Sequence, residues 1–110
     1  VKRKFHLTHA RDIQRVKSKN QTVYHRLLIL VYAQNELDIS RTAVVASKKV
    51  GNAVVRNRVR RRIWAGVDEL WPDIKPGWDL IFYSRSAIVD ADYSEILIAV
   101  KHLLGQAGVI

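Results

Sequence analysis

The segment 47–64, SKKVGNAVVRNRVRRRIW, constrains the fold more than any other part of the chain. Asn52 is a residue type that caps helices, and the pattern after it is helical. The helix is expected to run to about Leu70 or Trp71, because Pro72 forbids easy continuation. At ~100° per residue, Val55, Val59, Ile63 and Leu70 fall in one stripe, so the helix must dock on an apolar partner. The sequence supplies strands for that purpose. Residues 22–33, TVYHRLLILVYA, read as one long strand whose second half is apolar on both faces, as in a central strand. Residues 42–47 and 78–83 read as two further strands. Thr8 is placed to cap a short helix over about 9–18, with Ala10, Ile13 and Val16 on one face. Asp92-Tyr93-Ser94-Glu95 resembles a capping box ahead of Ile96, Leu97, Val100, Leu103 and Leu104, with a stop at Gly105. Breaks fall at 18–21, at 35–38 and at Pro76-Gly77. Helix, strands, helix, strand, helix predicts a small α/β sandwich with helices packed on a sheet. A chain of 110 residues holds one such domain, 1–110, since two cores would be hard to fit.

Charge is distributed unevenly over this frame. Residues 1–62 hold 16 basic and 3 acidic side chains, whereas residues 63–110 hold 3 and 7, which suggests that one surface meets a polyanion. The stretch 48–62 contains Lys48, Lys49, Arg56, Arg58, Arg60, Arg61 and Arg62 with no acid among them, so no ion pair within the segment can neutralise it. Arg56 and Arg60, like Arg58 and Arg62, are like-charge pairs one turn apart, each costing the helix about 0.2–0.5 kcal/mol. A merely solvated face would gain by alternating signs. A ligand that brings negative charge relieves the repulsion, and the excess of Arg over Lys favours bidentate phosphate contact. Asn57, between two arginines, can hydrogen-bond phosphate, ribose or a base edge, or be an ordinary exposed Asn. Trp64 lies on the basic side, where it can stack on a base or pack against a neighbouring element.

Several function classes find no support. The chain has no cysteine, which excludes a disulfide framework, thiolate zinc ligation and a cysteine nucleophile. No apolar run approaches the ~18 residues of a membrane span, and no signal-type stretch follows the basic first residues. A soluble, cytoplasmic protein is expected. The carboxylates are scattered and none precedes Asp68 within the basic helix, so the general acid, general base or metal cluster of a nuclease is missing. His6 and His9, three apart, lack a third ligand, and His25 and His102 have no recognisable partner.

The fifteen positions from Ser47 to Arg61, centred on Arg56-Asn57-Arg58, resemble the signature of the bacterial ribonuclease P protein component family. Weaker likeness covers nearly all of the chain. Asp12 lies in a segment similar to the family's first helix, Arg26 matches its strand arginine, and Asp79-Leu80 and Ser84-Arg85 sit in a similar strand. The resemblance implies an α/β (α+β) two-layer sandwich of αβββαβα order. It also implies a left-handed crossover at the Arg-rich helix, against the usual right-handed rule. It implies a subunit of a ribonucleoprotein endonuclease that removes the 5′ leader of precursor tRNA by hydrolysing one phosphodiester bond. The catalytic groups belong to the RNA subunit, and Mg2+ is bound mainly by that RNA. No catalytic residue, metal ligand or cofactor is expected in the protein, which helps bind the leader and the functional metal ions. The implied partners are the catalytic RNA and precursor tRNA, not a membrane. Arg56, Asn57, Arg58, Arg60 and Arg61 should contact the catalytic RNA, with Arg62 extending the array and Lys48 and Lys49 nearby.

The chain departs from the family pattern where aromatics line the leader cleft. Ile13 and Lys17 occupy aromatic positions of the first helix. Val31, with Tyr32 beside it, occupies that of a strand. Ile13, Lys17, Tyr24, Val31 and Tyr32 are the candidate leader-binding residues, with Tyr24, Tyr32 and Lys17 as substitutes for the missing rings. Trp64 replaces what is often another basic residue. The rival readings are a non-enzymatic RNA- or DNA-binding module built on the same helix, and a basic amphipathic helix on anionic membranes. The narrow β-branched stripe suits a sheet better than a bilayer.

Overall fold

Short-range signals place most elements in the computed structural model, which describes residues 1–110. They are α1 (Ala10–Ser18), β1 (Thr22–Tyr24), β2 (Leu28–Gln34), β3 (Arg41–Val45), α2 (Ala53–Leu70), β4 (Trp78–Ser84) and α3 (Tyr93–Ala107), in αβββαβα order. The strands form one sheet in the order β1-β2-β4-β3. β4 runs antiparallel to β2 and parallel to β3, so α2 is the crossover between two parallel neighbours.

The helix ends show which local chemistry governs. Asn52 caps α2, its side chain accepting from the Val55 N–H at 3.0 Å. Gly51 precedes it at φ +142°, where a Cβ would come within 3.1 Å of the Val55 Cβ, so the entry to α2 requires glycine twice over. The capping box of Asp92 and Glu95 opens α3. Asn35 Oδ1 accepts from the Leu37 N–H at 2.8 Å and forms the turn before β3.

Four expectations are corrected. The long strand over 22–33 is instead a hairpin, β1 and β2 joined through 25–27. The His25 imidazole closes the turn, its Nδ1 accepting from the Leu27 N–H at 3.0 Å. Arg26 therefore sits in this turn rather than in a strand, 3.7 Å from Glu95. Thr8 does not cap α1; His9 holds that position without a side-chain cap. α3 runs past Gly105 to Ala107 and ends on Gly108 in the left-handed region at φ +76°.

The alternation along β2 and β4 divides the core. Leu28, Leu30, Leu80 and Phe82 face α2 and α3, where Val59, Ile63, Val67, Ile96, Val100 and Leu103 complete the main cluster. This is the two-layer sandwich. On the opposite face Ala33 and Ile81 meet Leu7 and Val16, with Ile13, Val31, Ala43 and Tyr83 packed around them. α1 therefore covers only part of this second face. No helix is long and apolar enough to cross a membrane.

Candidate nucleic-acid interface

Docking of the apolar stripe turns the basic side of α2 outward. Val59, Ile63, Val67 and Leu70 are buried, and Val55 is half-buried against the same core. Gly66, buried against Leu97 and Val100 of α3, joins that face. Asn57 and Arg61 are exposed, and Arg56, Arg58, Arg60 and Arg62 are half-buried. Lys48 and Lys49 are exposed on a 3-10 turn, Lys48–Val50, just before the α2 N-terminus. The positive end of the helix dipole adds to their field, and no acid occupies the first turn. The ion pairs of the molecule involve Val1, Arg15, Arg26 and Arg41, so none engages Lys48, Lys49 or any arginine from 56 to 62. Arg60 Nη1 donates to Asn57 Oδ1 at 2.8 Å, which orders Asn57 beside a guanidinium. Arg62 turns away and donates to the Ala91 carbonyl at 3.3 Å. Arg58 Nε is shielded and donates to no group of the protein. The unneutralised array is therefore real, with Arg62 at its margin.

Trp64 does not join the array. Its ring stacks on His6 at 4.2 Å with 14° between the planes, so it fastens the N-terminal segment to α2. His9 occupies the cap position of α1 without a side-chain hydrogen bond, while His6 is spent on this stack. His25 and His102, in contrast, are neighbours, with centroids 5.7 Å apart. Burial, the His102 charge and Arg26, in that order, lower the pKa of His25.

The second face of the sheet carries an apolar row left open by α1. Its register runs laterally from Tyr24 to Ile29, Tyr83 and Val45 across all four strands. Four strands at about 4.8 Å spacing make such a row roughly 15 Å wide. Tyr24 is 62% exposed and Val45 39%, so the row is a surface rather than a core. Lys17 borders it, its Nζ 6.0 Å from the Tyr83 ring centroid. Ile13, Lys17, Tyr24 and Val31 thus belong to one side of the molecule. Tyr32 does not: it pairs with Leu80, packs on the main core and lies 6.0 Å from the Trp78 ring. Its place beside Val31 in sequence puts it on the opposite face. Tyr83, which the sequence reading passed over, takes its place. The alternation Asp79, Ile81, Tyr83 carried that signal, but only the strand register sets Tyr83 beside Ile29.

A cavity of about 400 Å³ links the two regions. Its lining includes Ile29 from the open row, Lys49 from the basic turn, and Ser47, Ser84, Arg85 and Ser86. The Ser84 hydroxyl accepts from the Ser47 N–H at 3.0 Å and ties the ends of β3 and β4 together there. Arg85 is exposed and, like Lys49, enters no ion pair. Apolar row, hydroxyl and cationic pocket, and arginine helix are contiguous.

Comparison with known proteins agrees with this geometry. A model of the Ribonuclease P family matches residues 1–108. The Ribonuclease P protein component of Roseiflexus castenholzii is 39% identical over 111 aligned positions, covering 100% of this chain and 91% of that protein. That of Clostridium botulinum is 38% identical over 90% of both. The Staphylococcus aureus RNase P protein superposes with a TM-score of 0.87 at 29% identity, covering 96% of each chain. The Thermotoga maritima RNase P protein shares the fold, with a TM-score of 0.83 at 20% identity over 92% of this chain and 96% of that one. An arginine segment, 56–62, that enters no ion pair, set on this sheet in a chain matched along almost its whole length, places the chain in the ribonuclease P protein family.

Proposed function

We propose that this ribonuclease P subunit grips the catalytic RNA through the outer face of α2 and holds the 5′ leader of precursor tRNA on the open side of its sheet. The observation that carries the reading is that Lys48, Lys49 and the arginines from 56 to 62 form no ion pair. Guanidinium groups of this kind bind phosphates through paired N–H donors. Arg56, Arg58, Arg60 and Arg61 supply the contacts, with Asn57 held for a ribose or base edge. Arg62 contributes least, because it is turned toward Ala91. The leader is single-stranded, and single strands bind where bases stack on rings and apolar side chains. Tyr24, Ile29, Tyr83 and Val45 offer that surface, and Ile13, Val31 and Lys17 form its wall. Lys49 and Arg85 lie where a strand leaving the row turns toward α2.

Cleavage is assigned to the RNA partner. No three imidazole, carboxylate or thiolate groups of the protein converge on one point. Mg2+, bound mainly by the RNA as the family resemblance implies, would supply the hydrolytic chemistry, and the protein's cations lower the repulsion between the two RNA strands. The test is reconstitution at low magnesium. The protein alone should leave precursor tRNA intact, and together with a ribonuclease P RNA it should stimulate cleavage at the mature 5′ end. Binding of that RNA without stimulation would instead mark a non-enzymatic binding module.

A further inference from the structure

α1 is attached to the sheet by charge more than by apolar contact. It has nine residues, fewer than the ~12–15 an isolated helix needs, and Val16 is its one buried side chain. Beneath it lies Asp79 of β4, a fully buried carboxylate. Arg41 of β3 donates to both of its oxygens, from Nε to Oδ1 at 3.0 Å and from Nη2 to Oδ2 at 2.8 Å. Asn35 Nδ2 donates to Oδ1 at 2.9 Å. Arg15 of α1 closes on Oδ2 as an ion pair, and its Nη1 donates to the Gln34 carbonyl at 3.0 Å. Arg41 Nη1 then reaches back to Asp12 of α1 at 3.3 Å. The helix and the sheet each contribute one arginine and one aspartate, so the cluster is neutral.

The arrangement fixes more than distance. Asp12 and Arg15 are one turn apart on the same side of α1. Two ties of opposite sign at that spacing set both the height of the helix above the sheet and its rotation. Ile13 and Lys17 ride on the same helix and stand at the edge of the open row. Buried ion clusters of this kind add little net stability compared with apolar packing, but breaking one leaves an uncompensated charge, which makes the geometry exacting. We propose that Asp12, Arg15, Arg41 and Asp79 are positioning residues that hold α1 as the wall of the leader-binding surface. They are not RNA contacts, because their charges are consumed within the cluster. The inference rests on the reading that the open row takes the leader.

The test uses the reconstituted holoenzyme and the ratio of its affinities for precursor tRNA with a leader and for mature tRNA. Arg15→Gln, Asp12→Asn and Asp79→Asn should lower that ratio, by on the order of tenfold for Asp79→Asn, which neutralises the buried carboxylate, and for Arg15→Gln, which removes its ion pair to α1. The affinity of each variant for the catalytic RNA should stay at the wild-type value, since α2 lies on the other face. Ile96→Val, on the buried side of α3 in the main core, is the control for lost stability and should leave the ratio unchanged. Should Asp79→Asn fail to fold, Arg15→Gln decides, because that side chain lies at the rim with 34% exposure. A wild-type ratio above one that survives Arg15→Gln and Asp12→Asn overturns the positioning role. An equal fall in Ile96→Val overturns it as well. A wild-type ratio of one removes the leader reading itself.

Discussion

The salt dependence of catalytic-RNA binding can be worked from the positions of individual arginines. Seven cations lie between residues 48 and 62. Arg62 is the odd one: it donates to the Ala91 carbonyl and faces Asp92. The Asp92 carboxyl is held below the usual carboxylate range by the Glu95 N–H, by the Ser94 hydroxyl and, further, by the Arg62 charge. That leaves Lys48, Lys49, Arg56, Arg58, Arg60 and Arg61 free to displace counterions. At about 0.7–0.9 per phosphate contact, six contacts give a slope of log affinity on log salt of roughly −4 to −5. Between 50 and 200 mM salt the affinity should then fall several hundred- to about a thousandfold. Arg61→Ala should make the slope shallower by about 0.7–0.9, and Arg62→Ala by well under half that. Filter binding across a salt series measures both, with circular dichroism to verify an intact fold. A wild-type slope near −1, or equal changes for the two variants, would refute the assignment of this face.

Gly51→Ala should lower the unfolding midpoint by several degrees, for a cost of about 1–3 kcal/mol, because it combines a positive φ with a Cβ crowded against Val55. A thermal melt matching wild type would contradict that account. His25 has its pKa lowered, first by burial, so the folded state binds its proton more weakly than the unfolded state. Its stabilising contribution is full above the ordinary histidine range and declines as the pH falls through that range toward the depressed folded value. His25→Asn keeps an acceptor for the Leu27 N–H and should show a smaller loss of stability between pH 7.5 and pH 5 in denaturant titrations. Tyr24→Ala should lower leader-dependent affinity by ~1–3 kcal/mol for one stacked base, whereas Tyr24→Phe should not. Equal effects of both variants would point to the hydroxyl rather than the ring.

How much of this was legible in the sequence depended on the range of the controlling interaction. Asn52, Asp92 with Glu95, and the turn at Asn35 act within three residues, and each was readable. The hairpin at 25–27 was not, because it has no Gly, Pro, Asn or Asp; a histidine ring supplies the acceptor that an Asn or Asp normally would. That single miss decides the faces. In one continuous strand Tyr24 and Tyr32, both even-numbered, would share a face. The turn instead reverses β1 and sets Tyr24 opposite Ile29, an odd position, leaving Tyr32 on the other side. Tyr83 and the Asp79 cluster depend on strand register and on partners up to 64 residues away, which no local pattern records. The arginine array was readable because its meaning lies in what the segment lacks, an acid.

The two sides of the sheet also explain why arginine has opposite fates in α1 and α2. In α2 the two like-charge pairs cost about 0.4–1 kcal/mol together. Val59, Ile63, Val67 and Leu70 are buried beneath them, and each such side chain contributes about 1.5–3 kcal/mol. Apolar docking exceeds the repulsion several-fold, so the helix stays in place with its guanidinium groups unpaired and free for phosphate. α1 buries one side chain only and has no such reserve. Of its two arginines, Arg15 is drawn to a buried carboxylate and serves as an anchor, while Arg11 stays exposed. The α2 arginines are free for RNA because hydrophobic contact already holds their helix, and Arg15 is not, because it does the holding itself.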